Sequence, residues 1–186
     1  MTRPTSRLPI VLLVLAAGGL GFLLARWQRQ DAGIDLPVAA AELPTPQQMI
    51  GRAAPAMAWV DLQLQPFALA DFRGQTVLLN FWASWCAPCI EEMPVLDAFA
   101  RDPDNGGVQV IGIALDQAQP VRDFLRAHPV AYRIALGTTR FPDESNLLGN
   151  HRSLLPYSVL IGPDGVVRKT RMGGFDAAQL AAWVRL

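Results

Sequence analysis

Residues 77–82, VLLNFW, form a nearly unbroken run of β-favouring apolar side chains. Only Asn80 interrupts the run. A continuous apolar run of this kind is expected of a central strand that is covered on both faces. A helical pattern follows and is predicted to end at about Arg101. Pro88 falls in its first turn, where a missing N–H removes a donor that would be unpaired in any case. The pattern therefore predicts a buried strand, a tight exposed turn and a helix.

The polar and apolar positions on either side predict an α/β domain around this unit. Residues 108–115, VQVIGIAL, form a second buried run. A strand, helix and strand unit of this length implies parallel pairing with a right-handed crossover. The remaining predicted elements are a hairpin at 58–64 and 66–69, a helix at 120–127, strands at 158–161 and 166–171, and a closing helix at 176–184 that Asp176 caps.

An apolar segment precedes this domain. Residues 8–25 contain no charge, and as a helix they would be about 27 Å long, close to a bilayer core of about 30 Å. We therefore predict a membrane anchor at 1–27, a linker rich in proline and alanine at 28–52, and a globular domain at 53–186. The alternative for the first segment is a cleavable signal peptide, whose apolar region is usually shorter, about 7 to 15 residues.

The charge distribution argues against nucleic acid as a partner. The chain has sixteen basic and sixteen acidic residues, but four of the basic residues precede position 30 and all of the acidic residues follow it. The predicted domain is therefore acidic overall. It offers no basic surface that would bind a phosphate backbone.

Cys86 and Cys89 are the only cysteines of the chain. Cys86 directly precedes the predicted helix, whose unpaired N–H groups and dipole stabilise a thiolate. Its pKa is therefore expected below the free value of roughly 8.5. Cys89 lies one turn further along, where its sulfur can reach that of Cys86. This arrangement predicts that Cys86 attacks a substrate disulfide and that Cys89 resolves the mixed disulfide.

Three other interpretations of the cysteine pair stay open. A purely structural disulfide would restrict the unfolded chain little, because the loop is short. A zinc site would need two more ligands, and His128 and His151 lack metal-site spacing. The two thiolates could instead bind Cu(I) as a metallochaperone, although no methionine or histidine lies close in sequence to strengthen such a site. We predict no resident metal and no cofactor.

The stretch NFWASWCAPC, together with Pro94 five residues after the second cysteine, resembles the active-site strand, turn and helix of thioredoxin-fold proteins. The resemblance covers residues 53–186 and is closest to the membrane-anchored TlpA/ResA-like thiol-disulfide oxidoreductases. It implies a three-layer α/β/α sandwich with a central insert, preceded by one transmembrane helix. The insert is expected at residues 130–153, with a strand at 132–136 and a short helix at 144–150. It is either an element that selects partners or a neutral surface elaboration.

The resemblance also implies which residues contact the substrate. Pro156 corresponds to the proline that is cis in these proteins and faces the active-site cysteines. Leu155 before it is then expected to pair its backbone with an incoming substrate chain. Trp85, beside the first cysteine, is expected to shape the substrate surface.

Redox tuning is expected from Ala87 and Pro88, which separate the two cysteines, and from Glu92, which matches a glutamate common in the family. For Glu92, a solvated helix face is the competing expectation. Asn80 occupies the position of a buried aspartate in thioredoxin, and an amide cannot accept a proton as a carboxylate could, which leaves the proton acceptor for Cys89 unassigned. Asp116 is expected to cap the next helix.

The resemblance implies a reductase of disulfides in exported proteins, with its domain in the periplasm and its anchor in the cytoplasmic membrane. The clients implied are apocytochrome c or copper-site assembly proteins. A membrane electron donor of the DsbD/CcdA type would resupply the electrons. The turn contains no cationic donor that would stabilise the thiolate further, so a potential nearer that of thioredoxin than that of an oxidase is expected, with disulfide oxidase as an alternative.

Overall fold

The computed structural model describes residues 42–185, so the predicted anchor at 1–27 and most of the predicted linker lie outside the described residues. Within the described part, no helix is both long enough and apolar enough to cross a membrane. The helices are α1 (Pro46–Met49), α2 (Ala87–Arg101), α3 (Ala118–Ala127), α4 (Glu144–Leu147) and α5 (Ala177–Trp183). The strands are β1 (Ala58–Asp61), β2 (Pro66–Ala68), β3 (Val77–Trp82), β4 (Gln109–Ala114), β5 (Arg133–Leu136), β6 (Tyr157–Ile161) and β7 (Val167–Met172), with a 3-10 turn at Leu69–Phe72.

The seven strands of the described chain form one mixed sheet in the order β2-β1-β5-β4-β3-β6-β7. The predicted parallel pairing is confirmed: β3 pairs with β4 in parallel, and β4 pairs with β5 in parallel. On its other side β3 pairs with β6 in antiparallel orientation. All six residues of β3 are buried, which agrees with a strand that has neighbours on both edges and cover on both faces.

Helices cover both faces of the sheet, in the predicted three layers. The crossovers β3-α2-β4 and β4-α3-β5 run in the same direction along the sheet, and two crossovers of the same hand place their helices on one face. There Met93 of α2, Val121 of α3 and Leu180 of α5 pack in one hydrophobic cluster with Leu78 and Trp82. The opposite face is covered by shorter pieces, to which Met49, Leu69 and Leu148 contribute buried side chains.

The predicted elements are present, with shifted ends. The first strand ends at Asp61 rather than at residue 64, because the Asp61 carboxylate accepts hydrogen bonds from the backbone N–H groups of Gln63 and Gln65 and closes a tight turn. The predicted insert is not a surface elaboration in its first half. Its strand β5 is built into the sheet between β4 and β1, and so joins the hairpin to the central strands.

Residues 43–52, which the sequence pattern assigns to the linker, pack on the domain. Thr45 caps α1, and Met49 is 5% exposed within the core cluster of the second face. The backbone N–H of Gly51 donates to Val167 O at 2.8 Å, and Ala53 forms a β-bridge with Val166. The compact unit therefore begins at Leu43 rather than at residue 53.

We predict that Met49→Ala lowers the free energy of unfolding by about 2 to 3 kcal/mol, because it leaves a cavity beneath the sheet. The matched control is Ile50→Ala, since Ile50 is the next residue and is 50% exposed; it should change stability by less than about 0.5 kcal/mol. Urea unfolding of the oxidised protein, followed by tryptophan fluorescence, measures both. Equal stabilities of the two variants would contradict the packing of this segment.

Candidate redox site

Cys86 and Cys89 lie where the central strand β3 turns into α2. Cys86 is the N-cap residue of that helix, and Ala87 and Pro88 form its exposed first turn. The two sulfurs are joined in a disulfide, with the Cα atoms 5.3 Å apart, so the structure is that of the oxidised protein. Cys86 is 5% exposed and Cys89 is 0% exposed. Cys86 therefore keeps a small exposed fraction and Cys89 keeps none, in the order that the sequence pattern predicts.

Asp116 holds the turn that precedes Cys86. Its Oδ2 accepts hydrogen bonds from the backbone N–H of Ser84 at 3.1 Å and from Ser84 Oγ at 2.5 Å. The expectation that Asp116 caps the next helix is wrong, because the N-cap of α3 is Gln117. Asp116 follows β4, and the parallel pairing of β3 with β4 brings its carboxylate beside the turn that follows β3. Sequence spacing alone does not reveal that contact.

Pro156 lies at the same end of the strands as the cysteines, where β3 ends and β6 begins. The peptide bond between Leu155 and Pro156 is cis, as expected. The register of β3 and β6 pairs Phe81 with Tyr157, so Pro156 is level with the end of β3. Leu155 packs against the hydrophobic cluster that contains both cysteines. Trp85 is 70% exposed beside Cys86.

Glu92 is buried one turn beyond Cys89 and is only 2% exposed. Its Oε1 accepts a hydrogen bond from Asn80 Nδ2 at 2.7 Å, and its Oε2 accepts one from the backbone N–H of Phe175 at 3.2 Å. Asn80 Nδ2 also lies 3.1 Å from Ser158 Oγ. Strand β3 and the loop after β7 therefore meet at this carboxyl group, and Asn80 links it to Ser158 of β6.

Burial raises the pKa of Glu92 from its ordinary value of 4.5 to about 7. The hydrogen bonds from Asn80 and Phe175 and the positive charge of Arg171 oppose that rise only in part. The carboxyl group is consequently close to half-protonated at neutral pH, which is the condition under which a group both accepts and releases a proton efficiently.

The expectation that Glu92 lies on a solvated helix face is wrong. Glu92 follows Cys89 by three residues and precedes Leu96 by four, and both of these residues are fully buried. Residues three and four apart share one face of a helix, so the helical period itself contains the signal. The adjacent Glu91, which is exposed, makes the pair resemble a charged surface and hides that signal.

The predicted site residues differ in how exposed they are. Trp85, Ala87 and Pro88 flank Cys86 in the chain and are exposed, Glu92 is buried, and Leu155 packs against the cluster that contains both cysteines. Among residues 42–185, no three side chains of the His, Cys, Asp or Glu type are grouped so that they could hold a metal ion.

Comparisons with known proteins agree with this geometry. A family model described as Redoxin matches residues 49–182. The thiol-disulfide oxidoreductase ResA of a Bacillus cereus strain is 26% identical over 178 residues, which cover 95% of this chain and 92% of ResA. The sporulation thiol-disulfide oxidoreductase A of Bacillus subtilis is 29% identical over 116 residues, which cover 60% of this chain and 67% of that protein.

Solved structures show the same fold. The crystal structure of a thiol:disulfide interchange protein of the thioredoxin family from Chlorobium tepidum TLS superposes with a TM-score of 0.59 at 25% identity, covering 76% of this chain and 94% of that chain. The fold is therefore thioredoxin-like, as predicted. Residues 49–182 include both cysteines and all seven described strands. The chain belongs to the Redoxin family and is a thiol-disulfide oxidoreductase.

Proposed function

We propose that this protein is a membrane-tethered reductase that transfers two electrons from Cys86 and Cys89 to disulfides of exported proteins. The observation that carries the proposal is the position of the pair. Cys86 is the N-cap of a 15-residue helix and is 5% exposed, whereas Cys89, one turn further along, is fully buried. A sulfur at a helix N-terminus is stabilised as a thiolate, and a shielded second sulfur resolves the mixed disulfide without competing for the substrate.

The reaction proceeds in two exchange steps. The Cys86 thiolate attacks one sulfur of the substrate disulfide, the substrate S–S bond breaks, and the released substrate thiolate takes up a proton. Cys89 then loses its proton and attacks Cys86 Sγ, which breaks the mixed disulfide and releases the second substrate sulfur as a thiolate that takes up a proton. The protein ends in the disulfide form that the structure contains.

Glu92 accepts the proton of Cys89 in this proposal. It lies on the same helix face one turn beyond Cys89, and its carboxyl pKa of about 7 allows it to accept a proton at neutral pH and release it again. Asn80 cannot take this role, because its amide donates to the carboxylate rather than accepting a proton. Asn80 instead orients the carboxyl group beneath the helix.

The loop around Pro156 supports a protein as the substrate. Within residues 42–185, the backbone N–H and C=O of Leu155 have no hydrogen-bond partner. An extended substrate segment would pair with these groups as an added strand, while exposed Trp85 would contact side chains that flank the substrate cysteine.

The direction of electron flow is proposed from the turn between the cysteines. Ala87 and Pro88 are exposed and supply no cation or side-chain donor to Cys86, so the thiolate lacks the extra stabilisation that produces a strong oxidant. A reductant in an oxidising compartment must be resupplied, and a donor of the DsbD/CcdA type in the membrane would do so. Apocytochrome c and copper-site assembly proteins are the proposed clients.

The membrane location is supported by the uncharged segment at 8–25. The ResA alignment covers 95% of this chain and therefore includes most of that segment. In this proposal the segment anchors the chain in the cytoplasmic membrane, and the redox domain lies in the periplasm.

We predict that Cys86→Ser abolishes reduction of insulin, because the attacking sulfur is lost. Cys89→Ser should instead accumulate mixed disulfides through Cys86, which non-reducing electrophoresis and mass spectrometry of the adducts will identify. The double variant C86S/C89S is the control and should give no adduct. Tight Cu(I) binding by a wild-type protein that leaves insulin intact would support the metallochaperone alternative instead.

We predict that the oxidised protein loses stability as the pH rises from about 4.5 to about 7. The folded state keeps the Glu92 proton in this window whereas the unfolded state has lost it, so folding binds more protons and a rising pH opposes it. Glu92 alone lowers the free energy of unfolding by about 3 kcal/mol across this pH range. Urea unfolding at a series of pH values should show a flatter profile for Glu92→Gln.

The neighbouring variant Glu91→Gln is the matched control, because Glu91 is exposed on the same turn of α2. It should keep the pH profile of the wild type. A wild-type profile in Glu92→Gln would show that the carboxyl group does not titrate in this range, and the proposed proton transfer would then lose its acceptor.

We predict a reduction potential more negative than about −170 mV, nearer the value of about −270 mV for thioredoxin than that of about −120 mV for DsbA. Equilibration with dithiothreitol or glutathione buffers, read out by alkylation of free thiols, measures it. A more positive potential would favour the alternative function, in which the protein is a disulfide oxidase.

A further inference from the structure

The side chain of Asn150 is fully buried and binds both backbone groups of Leu154. Leu154 N–H donates to Asn150 Oδ1 at 3.0 Å, and Asn150 Nδ2 donates to Leu154 O at 2.9 Å. The second Nδ2 hydrogen is directed to Ser145 Oγ at 3.0 Å. The amide thus pairs with Leu154 as a neighbouring strand would, and both of its donor hydrogens are used.

A network of polar groups, of which Ser145 and Asn146 are fully buried, keeps Asn150 in this position. Asp143 Oδ1 accepts hydrogen bonds from the backbone N–H and the hydroxyl of Ser145, which fixes the hydroxyl that faces Asn150. Asn146 Nδ2 donates to the backbone carbonyl of Asn150 at 2.7 Å and to Ser153 Oγ at 3.0 Å. Because buried polar groups without partners are costly, a fully paired network of this kind specifies one conformation.

The network acts on Ser153 and Leu154, two exposed residues that precede the packed residues Leu155 and Pro156. Ser153 has a φ of +50°, an unfavourable backbone conformation for a residue with a side chain. The side chain of Leu154 is exposed, so without Asn150 its backbone groups could bind water instead. The next two residues are Leu155, whose backbone groups have no partner within residues 42–185, and Pro156.

We propose that Asn150 is a positioning residue for protein substrates. It holds the backbone of Leu154 inward, so that the N–H and C=O of Leu155 stay directed outward and ready to pair with the substrate chain. The second half of the insert thereby affects substrate affinity through the loop before Pro156 without contacting the substrate. The inference rests on the proposed reduction of protein disulfides and assigns to the insert a defined part in it.

Asn150→Ala in the full chain, purified in detergent, tests the proposal. Removing the amide lets the backbone of Leu154 move, so substrate binding must also order this part of the loop. KM for insulin should therefore rise about tenfold while kcat changes little. Hydroxyethyl disulfide has no peptide backbone to pair with Leu155, and its reduction rate should therefore be unchanged. The reduction potential should also be unchanged.

Asn150→Asp is the conservative variant and His151→Ala is the matched control at the next, exposed position. The aspartate still accepts from Leu154 N–H but cannot donate to Leu154 O, so its KM for insulin should lie between those of the wild type and Asn150→Ala. Amide hydrogen exchange at Leu154 should be slow in the wild type and in Asn150→Asp, and faster in Asn150→Ala. His151→Ala should match the wild type in every assay.

Unchanged KM for insulin in both Asn150 variants would overturn the proposal. So would parallel losses with insulin and hydroxyethyl disulfide, because they would indicate a general disturbance of the site. A wild-type protein that reduces hydroxyethyl disulfide but not insulin would overturn the proposed function itself, and this inference with it.

Discussion

The junction between β3 and α2 is the constraint on which the site depends. β3 is buried along its whole length and paired on both edges, so its end is fixed relative to β4 and β6. The chain must then reverse within a few residues to begin α2, and Cys86 becomes the N-cap of that helix. The contact of Asp116 with Ser84 ties the same turn to the end of β4. The position of Cys86 is therefore fixed by the sheet.

Beneath that turn the protein keeps a carboxyl group in an otherwise hydrophobic layer. Glu92 is surrounded by the core of the α2 face, yet each of its oxygens has a donor, from Asn80 and from Phe175. Burial without a salt bridge raises its pKa, whereas a direct ion pair would have kept the group ionised. Arg171 lies close enough to moderate the rise, but its side chain hydrogen-bonds to Gly174 and Gln179. A group of this kind suits proton transfer better than stabilisation of the fold.

The residues between β4 and β6 have two separate structural roles. β5 extends the sheet and connects it to the hairpin β1–β2, which makes that part of the insert structural. The part from Asp143 to Leu154 contributes Leu148 to the core and is otherwise linked by buried and half-buried hydrogen bonds, centred on Asn146 and Asn150. Directional hydrogen bonds fix a backbone path more specifically than apolar packing does. That property suits the segment that leads into Leu155 and Pro156.

The sequence by itself determined the elements and the cysteine site, because hydrophobic periodicity and the position of Pro88 are local signals. The strand at Val77–Trp82, the helix that ends at Arg101, the parallel β3–β4 pair and the cap at Asp176 all follow from such signals. Only the tertiary structure decided the hydrogen-bond partners of Glu92, the contact of Asp116 with Ser84, the packing of Met49 and the binding of Leu154 by Asn150. Each of these depends on residues that are brought together by sheet order or by a loop conformation. Local sequence can mark a polar side chain as buried, as helical spacing does for Glu92, but it does not show which distant group will form its hydrogen bonds.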